Sequence, residues 1–228
     1  FRYDGSSRFA PGNEWGFFPS VSLGWKLSDE RFFEPLKGKV SNLKLRASVG
    51  TAGNDGTAAY QWLSGFNYNH FFVINETAIP TIDNAALPNL DITWETNTTY
   101  DIGIDAEFLE SDLKFSFDYF FRKRDDVIAG ATASVPSTLG VGLAAQNLYE
   151  FSNEGFEFSL DYQKQINKDL KLSGLFNFSR AREKAVFIDE TLNEDPFMRA
   201  NLTQTGGYTN LRRGYISEGL FQTQEEID

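Results

Sequence analysis

Residues 100–122 read Y-D-I-G-I-D-A-E-F, then L-E-S-D, then L-K-F-S-F-D-Y-F-F-R, with apolar and polar side chains alternating on both sides of the break. Successive side chains on a strand point to opposite faces, so a period of two means a strand with unlike faces. Tyr100, Ile102, Ile104, Ala106 and Phe108 share one face, against Asp101, Gly103, Asp105 and Glu107 on the other. Beyond the break, Leu113, Phe115, Phe117, Tyr119 and Phe121 stand against Lys114, Ser116, Asp118 and Arg122, with Phe120 the aromatic exception on the polar side. The pattern predicts a hairpin with one greasy, aromatic face and one charged face.

The same alternation returns at 21–27 (V-S-L-G-W-K-L), 43–50 (L-K-L-R-A-S-V-G), 155–162 (G-F-E-F-S-L-D-Y) and 170–179 (L-K-L-S-G-L-F-N-F-S). Aromatic residues make 15% of the 228, yet no stretch approaches the roughly 18 consecutive apolar residues of a membrane helix. A membrane strand needs only about 9–11 residues with alternate ones apolar. The mean hydropathy of -0.37 is therefore compatible with a membrane barrel.

Connections come in two sizes. Residues 109–112 and 166–169 are tight turns, whereas 51–92, 126–151 and 185–214 are long and rich in Gly, Asn, Thr and Pro. Short periplasmic turns at one end and long extracellular loops at the other is the habit of outer-membrane barrels. By this alternation 43–50 runs outward, 28–42 is a longer periplasmic turn and 15–27 runs inward. A soluble sandwich more often shows turn signals every 8–12 residues or so, with loops at both ends. The fold expected is all-β, an antiparallel transmembrane β-barrel segment.

Composition and motifs exclude several functions. A formal charge of -11 and a pI near 4.6 disfavour nucleic acid, whose phosphates need a basic face. Arg122-Lys123-Arg124 and Arg212-Arg213 sit among acidic neighbours and read as solvated rim charges. There is no cysteine for a disulfide or a thiolate metal site, and His70 is the single histidine, with no G-x-S-x-G turn to accompany it. The acids Asp125, Asp126, Asp189, Glu190, Glu194, Asp195, Glu225, Glu226 and Asp228 follow no calcium-loop spacing and read as solvated loops. G-T-A-G-N-D-G at 50–56 lacks the Lys-Ser/Thr of a phosphate loop. The sequons at Asn75, Asn97 and Asn201 carry no weight. No catalytic, metal or cofactor residue is assigned, and an enzyme is not expected.

One segment suggests ligand contact. In Y-Q-W-L-S-G-F-N-Y-N-H-F-F (60–72), an extended chain puts Tyr60, Trp62, Phe66, Tyr68 and Phe72 on one face. Flat aromatic faces stack on sugar rings or other ligands, and an aromatic ladder equally stabilises a hairpin. Trp62, Phe66 and Tyr68 are the candidate ligand contacts.

More specific motifs stand in order along the chain: D-G-S-S-R-F (4–9), W-G-F-F-P-S-V-S-L-G-W-K-L-S-D-E (15–30), L-K-L-R-A-S-V-G-T-A-G-N (43–54), I-T-W-E-T (92–96) and N-E-G-F-E-F-S-L (153–160). Together with G-L-F-Q-T-Q-E-E-I at 219–227, they resemble the latter, C-terminal part of the barrel in the SusC/RagA class of TonB-linked (TonB-dependent) outer-membrane receptors. The resemblance implies a barrel of about 22 strands in the bacterial outer membrane, plugged from within. It further implies a SusD-like surface lipoprotein as lid, the TonB-ExbB-ExbD complex as energy source, contact with outer-membrane lipid, and oligosaccharide or peptide cargo.

Residues 1–228 are then a partial barrel domain, expected to belong to a longer chain that supplies the plug, the TonB box and the closing strands. A barrel must close because unpaired strand edges in hydrocarbon leave backbone groups without partners. Two other readings compete: a passive porin or siderophore receptor barrel, and a soluble extracellular β-sheet binding module whose aromatic face packs into a core.

Overall fold

The computed structural model describes residues 1–131, 133–211, 214, 216, 217 and 219. The alternating segments become strands of one antiparallel sheet: β3 (Ser20–Lys26), β4 (Val40–Asn54), β7 (Glu95–Phe108), β8 (Leu113–Ala129), β9 (Gln146–Gln165) and β10 (Lys171–Phe187), in the order β10-β9-β8-β7-β4-β3. A short hairpin of β1 (Arg2–Gly5) and β2 (Trp15–Phe18) precedes them, and Pro19 separates β2 from β3. A second hairpin, β5 (Phe66–Ile74) with β6 (Thr77–Asn84), lies within the loop between β4 and β7.

Register fixes the two faces. Trp25, Leu45, Ile104, Phe117, Phe158 and Phe178 lie opposite one another in one row across the six strands. The adjacent row reads Gly24, Arg46, Gly103, Asp118, Glu157 and Ser179, and belongs to the other face. Rings meet along the first face, with centroids 6.2 Å apart for Phe117–Phe156, 5.8 Å for Phe156–Phe178 and 5.5 Å for Phe158–Phe176. Such pairs stabilise beyond the area they bury. Phe120, the exception in the pattern, lies over Gly155: a Cβ there would sit 2.7 Å from the ring, so the motif glycine is what admits it.

No second layer covers the aromatic face among the described residues. Leu23 is 75% exposed and Ile102 59%. Among the described residues, the cluster of buried apolar side chains lies instead at the long-loop end, where Phe9, Phe18, Ile92 and Trp94 pack with Ile128 and Ala145.

The strands run further than the alternation indicates. The loop expected over 126–151 contracts to 130–145, and β10 continues to Phe187, past the start of the expected 185–214 loop. At about 3.3 Å per residue β9 is some 65 Å long, against a hydrocarbon core of about 30 Å. Toward the long-loop end the backbone pairing persists although the period-two signal stops.

At the opposite end, residues 109–112 turn with left-handed φ of 54°, 56° and 73° at Leu109, Glu110 and Ser111. The 28–42 turn carries two short 3-10 segments, Leu27–Asp29 and Arg31–Leu36, pinned by Phe33 and Ser28, which are buried. Arg212, Arg213, Glu225, Glu226 and Asp228 lie outside the described residues, as does the His70 side chain.

Candidate functional site

The long-loop end is held by the I-T-W-E-T segment, in which Ile92, Thr93, Trp94 and Glu95 have separate tasks. Ile92 is fully buried. The Thr93 backbone exchanges two hydrogen bonds of 2.9 Å with the Asn147 amide, which also donates to the Asp126 carbonyl at 2.7 Å. Asp126 sits at φ 56° inside a bulge of β8, so Asn147 satisfies a carbonyl that the ladder leaves open. The Trp94 ring lies between Phe9 (5.4 Å) and Phe18 (5.3 Å), and its Nε1 donates to the Glu14 carbonyl at 3.1 Å. Glu95, buried, accepts from Asn54 Nδ2 at 2.8 Å and the Ile128 N–H at 2.9 Å. Gly16 and Gly53 are needed beside this knot because a Cβ at either would overlap the Phe18 ring.

The D-G-S-S-R-F segment docks onto the end of β4. Ser6 Oγ donates to Asp55 Oδ2 at 2.7 Å, Arg8 Nε stands 3.7 Å from the same oxygen, and an Arg8 guanidinium N–H donates to the Thr57 carbonyl. Gly56 N donates to Asn54 Oδ1 at 3.1 Å. The glycine-rich stretch at 50–56 is thus an acidic docking point with its polar groups committed.

The loops are sewn to one another above this knot. Leu87 exchanges backbone hydrogen bonds with Gly142 (2.8 Å) and Ala144 (2.9 Å), Asn89 Nδ2 donates to the Ala145 carbonyl (2.8 Å), and Ala145 N donates to Gln61 Oε1 (2.8 Å). Beyond β10, helix α1 (Pro196–Leu202) begins with Asp195 capping the Phe197 and Met198 N–H groups. Glu190 accepts from the N–H groups of Gln204 and Thr205. Burial pushes the Glu190 pKa up, but these hydrogen bonds outweigh it and hold the carboxyl below its ordinary value.

Of the candidate ligand contacts, Phe66 and Tyr68 lie on β5, 58% and 68% exposed. Trp62 is half-buried in the turn before it, beside the Gln61 staple, and its Nε1 is buried without a hydrogen-bond partner. The five-residue ladder expected over 60–72 does not form. Tyr60 takes φ 62° in a turn, and one extra residue in β5 between Asn67 and His70 changes the phase. Phe66 and Phe71 therefore face Asn84 and Pro80 on one side, while Phe72 faces Ile79 on the other.

Asn75 and Glu76, at φ 48° and 65°, close the hairpin in the manner of a type I′ turn. Both hairpin faces are apolar and exposed, with Phe71 at 62%, Phe72 at 69%, Val73 at 73% and Ile82 at 62%. Sequence reasoning missed Phe71, Val73 and Ile82. The apolar runs on either side of N-E could have revealed them.

The charged sheet face centres on Arg46. Its guanidinium reaches Asp105 at 2.7 Å and Asp118 at 2.9 Å, and Ser116 Oγ donates to Asp105 at 3.0 Å. These groups neutralise one another within a polar wall.

Residues 1–224 match the family model described as TonB dependent receptor-like, beta-barrel. The chain belongs to this family. Its relatives include TonB-dependent receptor SusC of Bacteroides thetaiotaomicron, 32% identical over 100% of this chain and 23% of that protein. TonB-dependent receptor P3 of Formosa agariphila is 30% identical over 97% of this chain and 22% of that protein. The fold is also that of solved structures of the RagAB peptide importer. In the open-open state the TM-score is 0.68 at 24% identity, covering 82% of this chain and 20% of that one. In the closed-closed state it is 0.64 at 24% identity, covering 85% and 21%. The chain spans about a fifth of the length of the relatives it matches. The barrel family expected from the ordered motifs is the one found, and it is a family of receptors and transporters.

Proposed function

We propose that this chain forms part of the wall and outer loops of a TonB-dependent nutrient importer in a bacterial outer membrane. The observation that carries the reading is the six-stranded sheet with an exposed aromatic face and a charged opposite face, within a chain matching the receptor barrel over residues 1–224. Leaving large apolar side chains in water forfeits about 1.5–3 kcal/mol each. Outer-membrane lipid supplies the missing apolar surroundings. The Arg46 face turns to the lumen and its plug, and the long loops shape the external cavity.

In this proposal transport is active, and the protein is not an enzyme. Oligosaccharide or peptide cargo is enclosed by the loops and a SusD-like lipoprotein, then released inward when the TonB-ExbB-ExbD complex pulls on the plug. What supports the finer reading is the similarity to SusC and to RagAB, together with the β5–β6 hairpin, whose apolar side chains on both faces suit a ligand or a lid better than water. Phe66 and Tyr68, with Trp62 at their base, are the contacts proposed for cargo.

The test is to extract the native receptor from outer membranes in mild detergent and identify what copurifies by mass spectrometry. A stoichiometric surface lipoprotein is the expected result. A lone barrel would favour a passive porin or siderophore receptor, and recovery in the soluble fraction would overturn the membrane reading.

A further inference from the structure

We propose that the outward face of β10, where the aromatic band ends on the long-loop side, binds the phosphate groups of an anionic lipid in the outer leaflet. The inference rests on the membrane reading above and adds a lipid site to it. The rows crossing β8, β9 and β10 on the aromatic face change chemistry within a few residues. Phe117, Phe158 and Phe178 are followed by Tyr119, Phe156 and Arg180, then by Phe121, Glu154 and Arg182, then by Lys123, Ser152 and Lys184. At about 3.4 Å per residue, Arg180 to Lys184 lie roughly 7 to 20 Å along the strand beyond Phe178. That is where apolar tails give way to headgroups.

These cations are available. Arg180, Arg182 and Lys184 are exposed, and no carboxylate among the described residues forms an ion pair with them. Lys123, by contrast, is held by Asp125 at 2.8 Å. The Arg182 guanidinium lies 5.3 Å over the Tyr208 ring, which positions it and leaves its charge free. Arg180 and Arg182, with Tyr119, Glu154, Gly155 and Phe156, line an open cavity of about 260 Å³.

The short-turn end differs. There Lys164 pairs with Asp112 at 3.1 Å and Lys26 with Asp29 at 3.0 Å. On the rows of the aromatic face that cross β8, β9 and β10, the cation at the short-turn end, Lys164, is thus neutralised, whereas Arg180, Arg182 and Lys184 at the outer end are not. A planar guanidinium grips a phosphate through two parallel hydrogen bonds, while Tyr119, Phe156 and Phe178 offer rings to the acyl chains below. Glu154 is the one carboxylate within these rows and opposes the anion.

The experiment uses the full-length receptor in detergent, titrated with diphosphoryl lipid A and read by native mass spectrometry. Parallel arms use a phosphate-free glycolipid of equal acylation and inorganic phosphate alone. The account expects the diphosphoryl lipid to bind, with affinity falling about tenfold or more in the R180Q/R182Q/K184Q variant. It expects E154Q to bind more tightly and K164Q to match the parent protein. Heat-modifiable migration on gels confirms that each variant is folded. Equal binding by the triple variant, equal binding of the phosphate-free lipid, or saturation by inorganic phosphate alone would overturn the lipid site while leaving the barrel reading intact. A receptor absent from the membrane fraction would overturn both.

Discussion

Arg46 on β4 and Asp118 on β8 form a 2.9 Å ion pair across the intervening strand, through the space that Gly103 leaves open. Arg46, Gly103 and Asp118 are direct neighbours in one row, and a Cβ on Gly103 would overlap the Asp118 carboxylate and come within 2.8 Å of Arg46 Nη2. Glycine normally weakens a strand, but here it permits a contact between residues two strands apart. Gly103→Val is expected to separate the pair and lower stability by about 1–3 kcal/mol, read from urea unfolding of the full receptor in detergent. Unchanged stability would show that the pair carries no weight.

The two faces answer differently to the same new charge. Phe117→Arg is expected to cost about 2–4 kcal/mol near the bilayer midplane, whereas Ser159→Arg, in the adjacent row on the opposite face and outside the Arg46 ion pairs, is expected to be milder. Unfolding in lipid vesicles reads both, and equal costs would contradict the assignment of faces.

Trp94 joins the D-G-S-S-R-F loop to the outer ends of the strands. Trp94→Ala removes the ring between Phe9 and Phe18 and should cost about 3–5 kcal/mol. Because the apolar band is untouched, the loss should appear as faster proteolysis within residues 6–14 and 55–94 while the membrane-protected fragments survive.

The Glu190 carboxyl is held below its ordinary pKa in the folded loop, so its contribution is present above the unfolded value, about 4.5, and is lost as pH falls through the lower folded value. Oxidative footprinting of residues 188–205 should show protection at pH 7 that declines only in acid below that range. Glu190→Gln should show the unprotected pattern already at pH 7.

Much of this architecture was legible because a period of two is local: counting from Tyr100 to Phe121 assigns every side chain to its observed face, and the ordered motifs identify the family. Other features depend on partners far away in sequence. I-T-W-E-T stands out as a motif, yet nothing local indicates that Glu95 is buried or that Thr93 is met by Asn147. The ladder expected through Tyr60 and Phe72 fails because the extra residue in β5 exists only relative to β6. The expected loops 126–151 and 185–214 overlap the outer ends of β8 (126–129), β9 (146–151) and β10 (185–187), because the period of two breaks down there while the backbone pairing continues.

The central claim is that the aromatic face meets lipid. The most direct measurement places single cysteines at 114–119 of the full-length receptor, labels each with a fluorophore, and reconstitutes the protein into bilayers of brominated lipid. Strong quenching at 115, 117 and 119 with little at 114, 116 and 118 is the result this account predicts. Equal quenching at all six positions, or quenching at the even positions alone, would contradict it.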